Sequence, residues 1–143
     1  MPPSAVVDAS VLVSAFLFPG SLPGRVVAVA DAGVYALHLS PILLEEVRRS
    51  LRNPRLKAAY GHTEQAIDAW CAGLHETGRL LTRPLPEIGP VCRDPDDDHV
   101  IAAALAVGAG WIVTGDRDLL DLGQHLTIRM VTPRAFLDEL AES

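Results

Sequence analysis

The stretch Trp111-Ile112-Val113-Thr114-Gly115-Asp116 joins an uninterrupted apolar run to a turn that carries an acid. Near the start of the chain, Ala5-Val6-Val7-Asp8 does the same. Continuous rather than alternating apolar residues suit a strand whose sheet is covered on both faces, and such strands belong to parallel sheets. Working outward, the chain alternates strand-like and helix-like segments. Residues 22–32 read as a helix closed by Gly33, and 34–39 as a second strand. Ser40 caps a helix with Pro41 in its first turn, which runs to about residue 52. Residues 63–76 read as another helix and 79–82 as a short strand. Asp94-Pro95 opens a helix that continues through 101–105, 126–131 is a strand, and Pro133 starts the last helix. Strands separated by helices predict an α/β fold, a three-layer α/β/α sandwich with a central, mostly parallel sheet.

Composition bounds the remaining possibilities. A chain of 143 residues fits one domain, taken here as 1–143, and 49% apolar residues can fill its core without disulfides. Cys71 and Cys92 form no C-x-x-C pair and have no histidine cluster beside them, which argues against structural zinc and for free thiols. The apolar residues 11–18 follow Asp8, and no Lys or Arg precedes Arg25, the reverse of a secretory signal. No apolar run reaches membrane-spanning length. The expectation is a soluble, cytoplasmic protein with no membrane partner. The net charge of −6 opposes nucleic-acid binding in bulk, since phosphates are met by Lys and Arg. Two features soften this. Arg48, Arg49, Arg52, Arg55 and Lys57 fall close together, and acids that hold divalent cations have their charge cancelled locally.

The acids gain meaning from the topology. In open α/β sheets ligands bind outside the carboxyl ends of the strands. Asp8 and Asp116 follow two strands, Glu46 lies in the first turns of the helix after the second strand, and Asp98 lies in the first turns of the helix opened by Asp94-Pro95. All four should rise at one sheet edge. Crowded carboxylates raise one another's pKa unless a cation neutralises them, and Mg²⁺ or Mn²⁺ prefers oxygen ligands. Such a cation acidifies water and stabilises charge on a phosphate, which suits phosphodiester hydrolysis.

Each residue also has an ordinary explanation. Asp8 and Asp94 are natural helix caps, acids in a first helical turn are favoured by the macrodipole, and Asp116 and Asp118 sit in a turn after Gly115. Glu45 competes with Glu46, and Asp97 with Asp98, because the helix that follows is too uniformly apolar to show which side faces inward. The basic run could be a solvated helix face. The histidines are scattered and none is assigned to catalysis; His99, beside Asp98, is the only tempting one. No Gly-rich phosphate loop is present.

Four stretches together resemble a known family: Val6-Val7-Asp8-Ala9-Ser10; Ser40 through Glu45-Glu46; Asp94-Pro95-Asp96-Asp97-Asp98 followed by Ile101-Ala102; and Thr114-Gly115-Asp116-Arg117-Asp118-Leu119. They are similar, in order and spacing, to the PIN-domain ribonucleases, and within them to the VapC-like toxin components of bacterial toxin–antitoxin pairs. The resemblance implies a Rossmann-like sandwich and Mg²⁺- or Mn²⁺-dependent RNA cleavage. It carries Asp8, Glu46, Asp98 and Asp116 over as catalytic, metal-binding acids. Ser10 and Thr114 become supporting hydroxyls, and Asp118 and Asp97 supporting acids. The choice of Asp98 over Asp97 rests on this resemblance alone.

The reading is therefore a metal-dependent endoribonuclease acting on RNA, the toxin of a cognate antitoxin, and a homodimer, with residues 48–57 as the RNA-binding run. Two alternatives stand beside it. One is a phosphatase of the haloacid dehalogenase type, which wants a second Asp where Ser10 stands and a later Lys for which there is no good candidate. The other is a non-catalytic PIN-like module that binds RNA or protein, which loss of one acid would favour; all four are present.

Overall fold

The computed structural model describes residues 2–142. Six strands form one sheet: β1 (Ser4–Val7), β2 (Ala36–Leu39), β3 (Arg79–Leu80), β4 (Trp111–Val113), β5 (Gln124–His125) and β6 (Ile128–Val131), in the order β3-β2-β1-β4-β6-β5. All neighbours are parallel except β5, which pairs antiparallel with β6 at one edge. The central β1 aligns Val6 with His38 of β2 and with Ile112 of β4. Helices cover the sheet as an α/β/α sandwich: α1 (Ala9–Leu17), α2 (Leu22–Asp31), α3 (Pro41–Leu51), α4 (Pro54–Tyr60), α5 (Glu64–Thr77), α6 (Asp98–Val107), α7 (Arg117–Leu122) and α8 (Pro133–Ala141). A 3₁₀ turn, Pro95–Asp97, leads into α6.

Capping chemistry sets most helix starts. Ser40 accepts from the Leu43 N–H with Pro41 following, and Thr63 accepts from Ala66 N–H. Three helices go beyond the sequence expectation and obey the same rule: Asp8 caps α1, Asn53 caps α4 ahead of Pro54, and Asp116 caps α7. Of the expected strand at 126–131, Ile128–Val131 form β6, while residues 126 and 127 turn the chain back from β5 in a short hairpin. Leu126 occupies the turn at φ 54°, a backbone region leucine seldom adopts, so residue type gives no turn signal there.

Leu12, Leu37, Leu43, Ile101, Ile112 and Phe136 are fully buried in one continuous cluster. Removing most of such a side chain typically costs about 2–5 kcal/mol. Trp70, half-buried, packs against Phe16 with ring centroids 5.8 Å apart. Among the described residues the buried polar side chains are Asp8, Ser40 and Thr114, and two of these lie where β1 and β4 end. No single described helix is long and apolar enough to cross a membrane; α1 and α2 satisfy that test only jointly, across a 97° bend.

Candidate active site

Parallel pairing puts the residues after β1 and β4 side by side, because Val7 lies opposite Val113. Asp8 follows one strand and Thr114 the other. The Thr114 hydroxyl donates to Asp8 Oδ2 at 2.8 Å, the Ser10 hydroxyl donates to the same oxygen at 3.4 Å, and the Ala9 N–H donates to Oδ1 at 2.8 Å. Asp8 is 7% exposed. Burial is the strongest influence on its carboxyl and pushes it above its ordinary range; the Thr114 and Ala9 bonds oppose this, the charge of Asp116 adds to it, and His99 counters weakly.

The same hydroxyls fix the next acid. Thr114 Oγ1 accepts from the Asp116 N–H at 2.9 Å, and Ser10 Oγ accepts from the Gly115 N–H at 3.4 Å. Asp116 Oδ1 caps α7 by accepting from the N–H groups of Asp118 and Leu119. Carboxylate oxygens of Asp97, Asp116 and Asp118 lie within 4.8 Å of one another. Asp97 Oδ2 is buried and accepts no hydrogen bond. The Asp97 carboxyl is pushed up to about 6, first by desolvation and then by the charges of Asp116, Asp94, Asp8 and Asp118.

The structure brings Asp97, rather than Asp98, to this cluster. Asp98 faces the preceding loop, where its Oδ1 accepts from the Cys92 N–H at 2.7 Å and its two oxygens share the Val91 N–H at 3.3 and 3.4 Å. Desolvation raises the Asp98 carboxyl, but the bonds from Cys92 and Val91 outweigh it and leave the group below its ordinary value. Consecutive side chains at a helix start diverge by about 100°, so the two acids cannot share a direction. The sequence could not set the phase, since α6 buries Val100, Ile101, Ala102, Ala103 and Ala104 in succession.

Glu46 stands apart from the cluster, in close contact with His99 Nε2. Glu45, Glu46, Asp97, His99 and Arg49 line one cleft between α3 and the start of α6. Glu45 is exposed, whereas Glu46 is half-buried and held by His99. Sequence reasoning assigned His99 no role; its position one residue after Asp98 was the only signal.

A PIN domain family model matches residues 4–118. The chain belongs to the PIN domain family. The matched span contains every acid just described. An uncharacterised protein of Methanocaldococcus jannaschii, MJ1680, is 26% identical over 142 residues, covering 94% of this chain and 89% of that protein. The crystal structure of PAE2754 from Pyrobaculum aerophilum is similar with a TM-score of 0.56 and 18% identity, with both chains covered at 100%. At that identity the likeness is one of fold. PIN domains are a family of nucleases that typically use divalent metals. The donor set of this PIN domain fits such an ion: clustered carboxylates, one with a buried oxygen that nothing in the chain satisfies.

Proposed function

We propose that this PIN domain is a divalent-metal-dependent endoribonuclease that hydrolyses RNA phosphodiester bonds. The observation that carries the reading is the orphaned Asp97 Oδ2 within the Asp97, Asp116 and Asp118 cluster. A buried carboxylate oxygen with no donor is costly unless a cation meets it. Asp97, Asp116 and Asp118 would hold Mg²⁺ or Mn²⁺, which when bound acidifies water and stabilises charge on a phosphate. Thr114 and Ser10 orient Asp8, and Thr114 also fixes the backbone of Asp116. Glu46, held by His99, contributes a further carboxylate to the cleft wall that Asp97 shares. Asp98 acts indirectly, by tying the loop before it to the start of α6.

The test is cleavage of single-stranded RNA by the purified protein. Activity is expected with Mg²⁺ or Mn²⁺, to vanish with a chelator, and to be lost in Asp97→Asn and Asp116→Asn. Cleavage that survives chelation would remove the metal from the mechanism.

The toxin role, with a cognate antitoxin and a homodimeric state, rests on the resemblance of the four motifs to the VapC-like group, and a cytoplasmic location rests on the free thiols of Cys71 and Cys92. Expression should then arrest bacterial growth, the Asp8→Asn variant should not, and the product of an adjacent reading frame should relieve the arrest. Equal growth of cells expressing either form would leave a nuclease without a toxin role.

A further inference from the structure

The fold divides the basic run. Arg48 pairs with Asp68 at 3.1 Å, Arg52 with Glu64 at 3.1 Å and Lys57 with Glu64 at 3.5 Å, so these three are turned onto α5. Arg49 forms no ion pair with a described residue. It lines the cleft of about 780 Å³ that also holds Glu46, Asp97 and His99. In a separate hollow of about 170 Å³, Arg93 and Cys92 line the wall with Asp121 and with Asp118 of the acid cluster. The Arg93 side chain is 77% exposed, and its guanidinium lies 3.5 Å from Asp118. Ion pairs so exposed are weakly held.

Asp97 belongs to both the cleft and the cluster, and Asp118 to both the cluster and the hollow. The cluster therefore contributes one acid to the wall of each space, and each space also holds an arginine. Arginine's planar fork matches a phosphate with two parallel hydrogen bonds. We infer that a single RNA strand crosses the acid cluster, with Arg49 holding a phosphate on one side of the reacting bond and Arg93 a phosphate on the other. The inference rests on the nuclease reading, because the cluster repels phosphates unless a cation neutralises it. Two arginine-bearing spaces that each include an acid of the cluster suit a strand with several phosphates rather than a mononucleotide. Once a cation engages Asp118, Arg93 loses its ion-pair partner, and Asp121 is the acid that still lines that hollow.

The experiment is binding of a fluorescent, single-stranded phosphorothioate oligoribonucleotide in Ca²⁺, measured across a salt series, beside a cleavage assay on ordinary RNA in Mg²⁺. Each phosphate contact contributes about 0.7 to the logarithmic salt slope for single strands. Arg49→Gln and Arg93→Gln should each flatten the slope by about 0.7, and the double variant by about 1.4. Arg52→Gln and Arg55→Gln should leave it unchanged. If wild-type protein binds and cleaves RNA but either Arg49→Gln or Arg93→Gln keeps the full slope, the two-sided track is wrong and the nuclease reading stands. A slope lost in Arg52→Gln or Arg55→Gln returns the contact to the run as a whole and overturns the track. Wild-type protein that neither binds nor cleaves RNA removes both.

Discussion

Replacing Asp97 by Asn should stabilise the metal-free protein, because its charged carboxyl is poorly accommodated. Its pKa rises from 3.8 to about 6. That rise of roughly two units corresponds to about 3 kcal/mol before screening, at 1.36 kcal/mol per unit. The residue is partly exposed, and solvent screening reduces the figure to about 1 kcal/mol. The sign follows from linkage. A carboxyl whose folded-state pKa exceeds its unfolded value binds more protons in the folded state, so stability is lost as pH rises through that interval. Wild type should therefore match Asp97→Asn below about pH 4, fall behind as pH rises from about 4 to about 6, and trail by a constant margin of about 1 kcal/mol at pH 7.5. For a chain of this length that is a melting shift of about 3–4 °C. Mn²⁺ should reverse the order. An ion that binds only the folded form adds about 2.7 kcal/mol at one hundred times its Kd, and the variant forfeits much of that gain. The assay is thermal denaturation of both proteins between pH 4 and 8, with chelator and with Mn²⁺. A variant less stable than wild type in chelator at pH 7.5, or a difference that does not change with pH, would refute the reasoning.

Thr114→Val should destabilise the fold by about 1–3 kcal/mol in denaturant titrations, since it leaves the Asp116 N–H without its buried acceptor. It should also move the acid limb of the pH–activity profile upward, because the Thr114 bond is what most lowers the Asp8 carboxyl. Asp98→Ala should loosen the loop before α6, seen as faster amide exchange at Val91 and Cys92, while Mn²⁺ binding measured by calorimetry persists. Glu46→Gln should lower cleavage while leaving the Mn²⁺-dependent rise in melting temperature intact, as Glu46 lies outside the acid cluster.

Much of the candidate site was legible because strand ends are easy to find. Asp8 and Asp116 each follow a short apolar run, and a parallel sheet delivers such residues to one edge. Glu46 was expected in the site through the resemblance, and the structure sets it beside the cluster, against His99. Asp97 was not legible, since only an amphipathic stripe could have oriented the start of α6 and that helix has none. α1 was hidden for a related reason: Val11-Leu12-Val13 is apolar without a polar face, so it carries no helical period. The division of the basic run depends on Glu64 and Asp68, which belong to a different helix and meet the arginines only through packing.

Both margins of the sheet are strands of two residues, β3 and β5. Margins that brief expose too few unsatisfied amides and carbonyls for a foreign strand to zip onto. Ladder extension from either margin is thereby disfavoured. The hairpin that residue type failed to announce serves as a selvedge, finishing the weave where it would otherwise unravel into a neighbour.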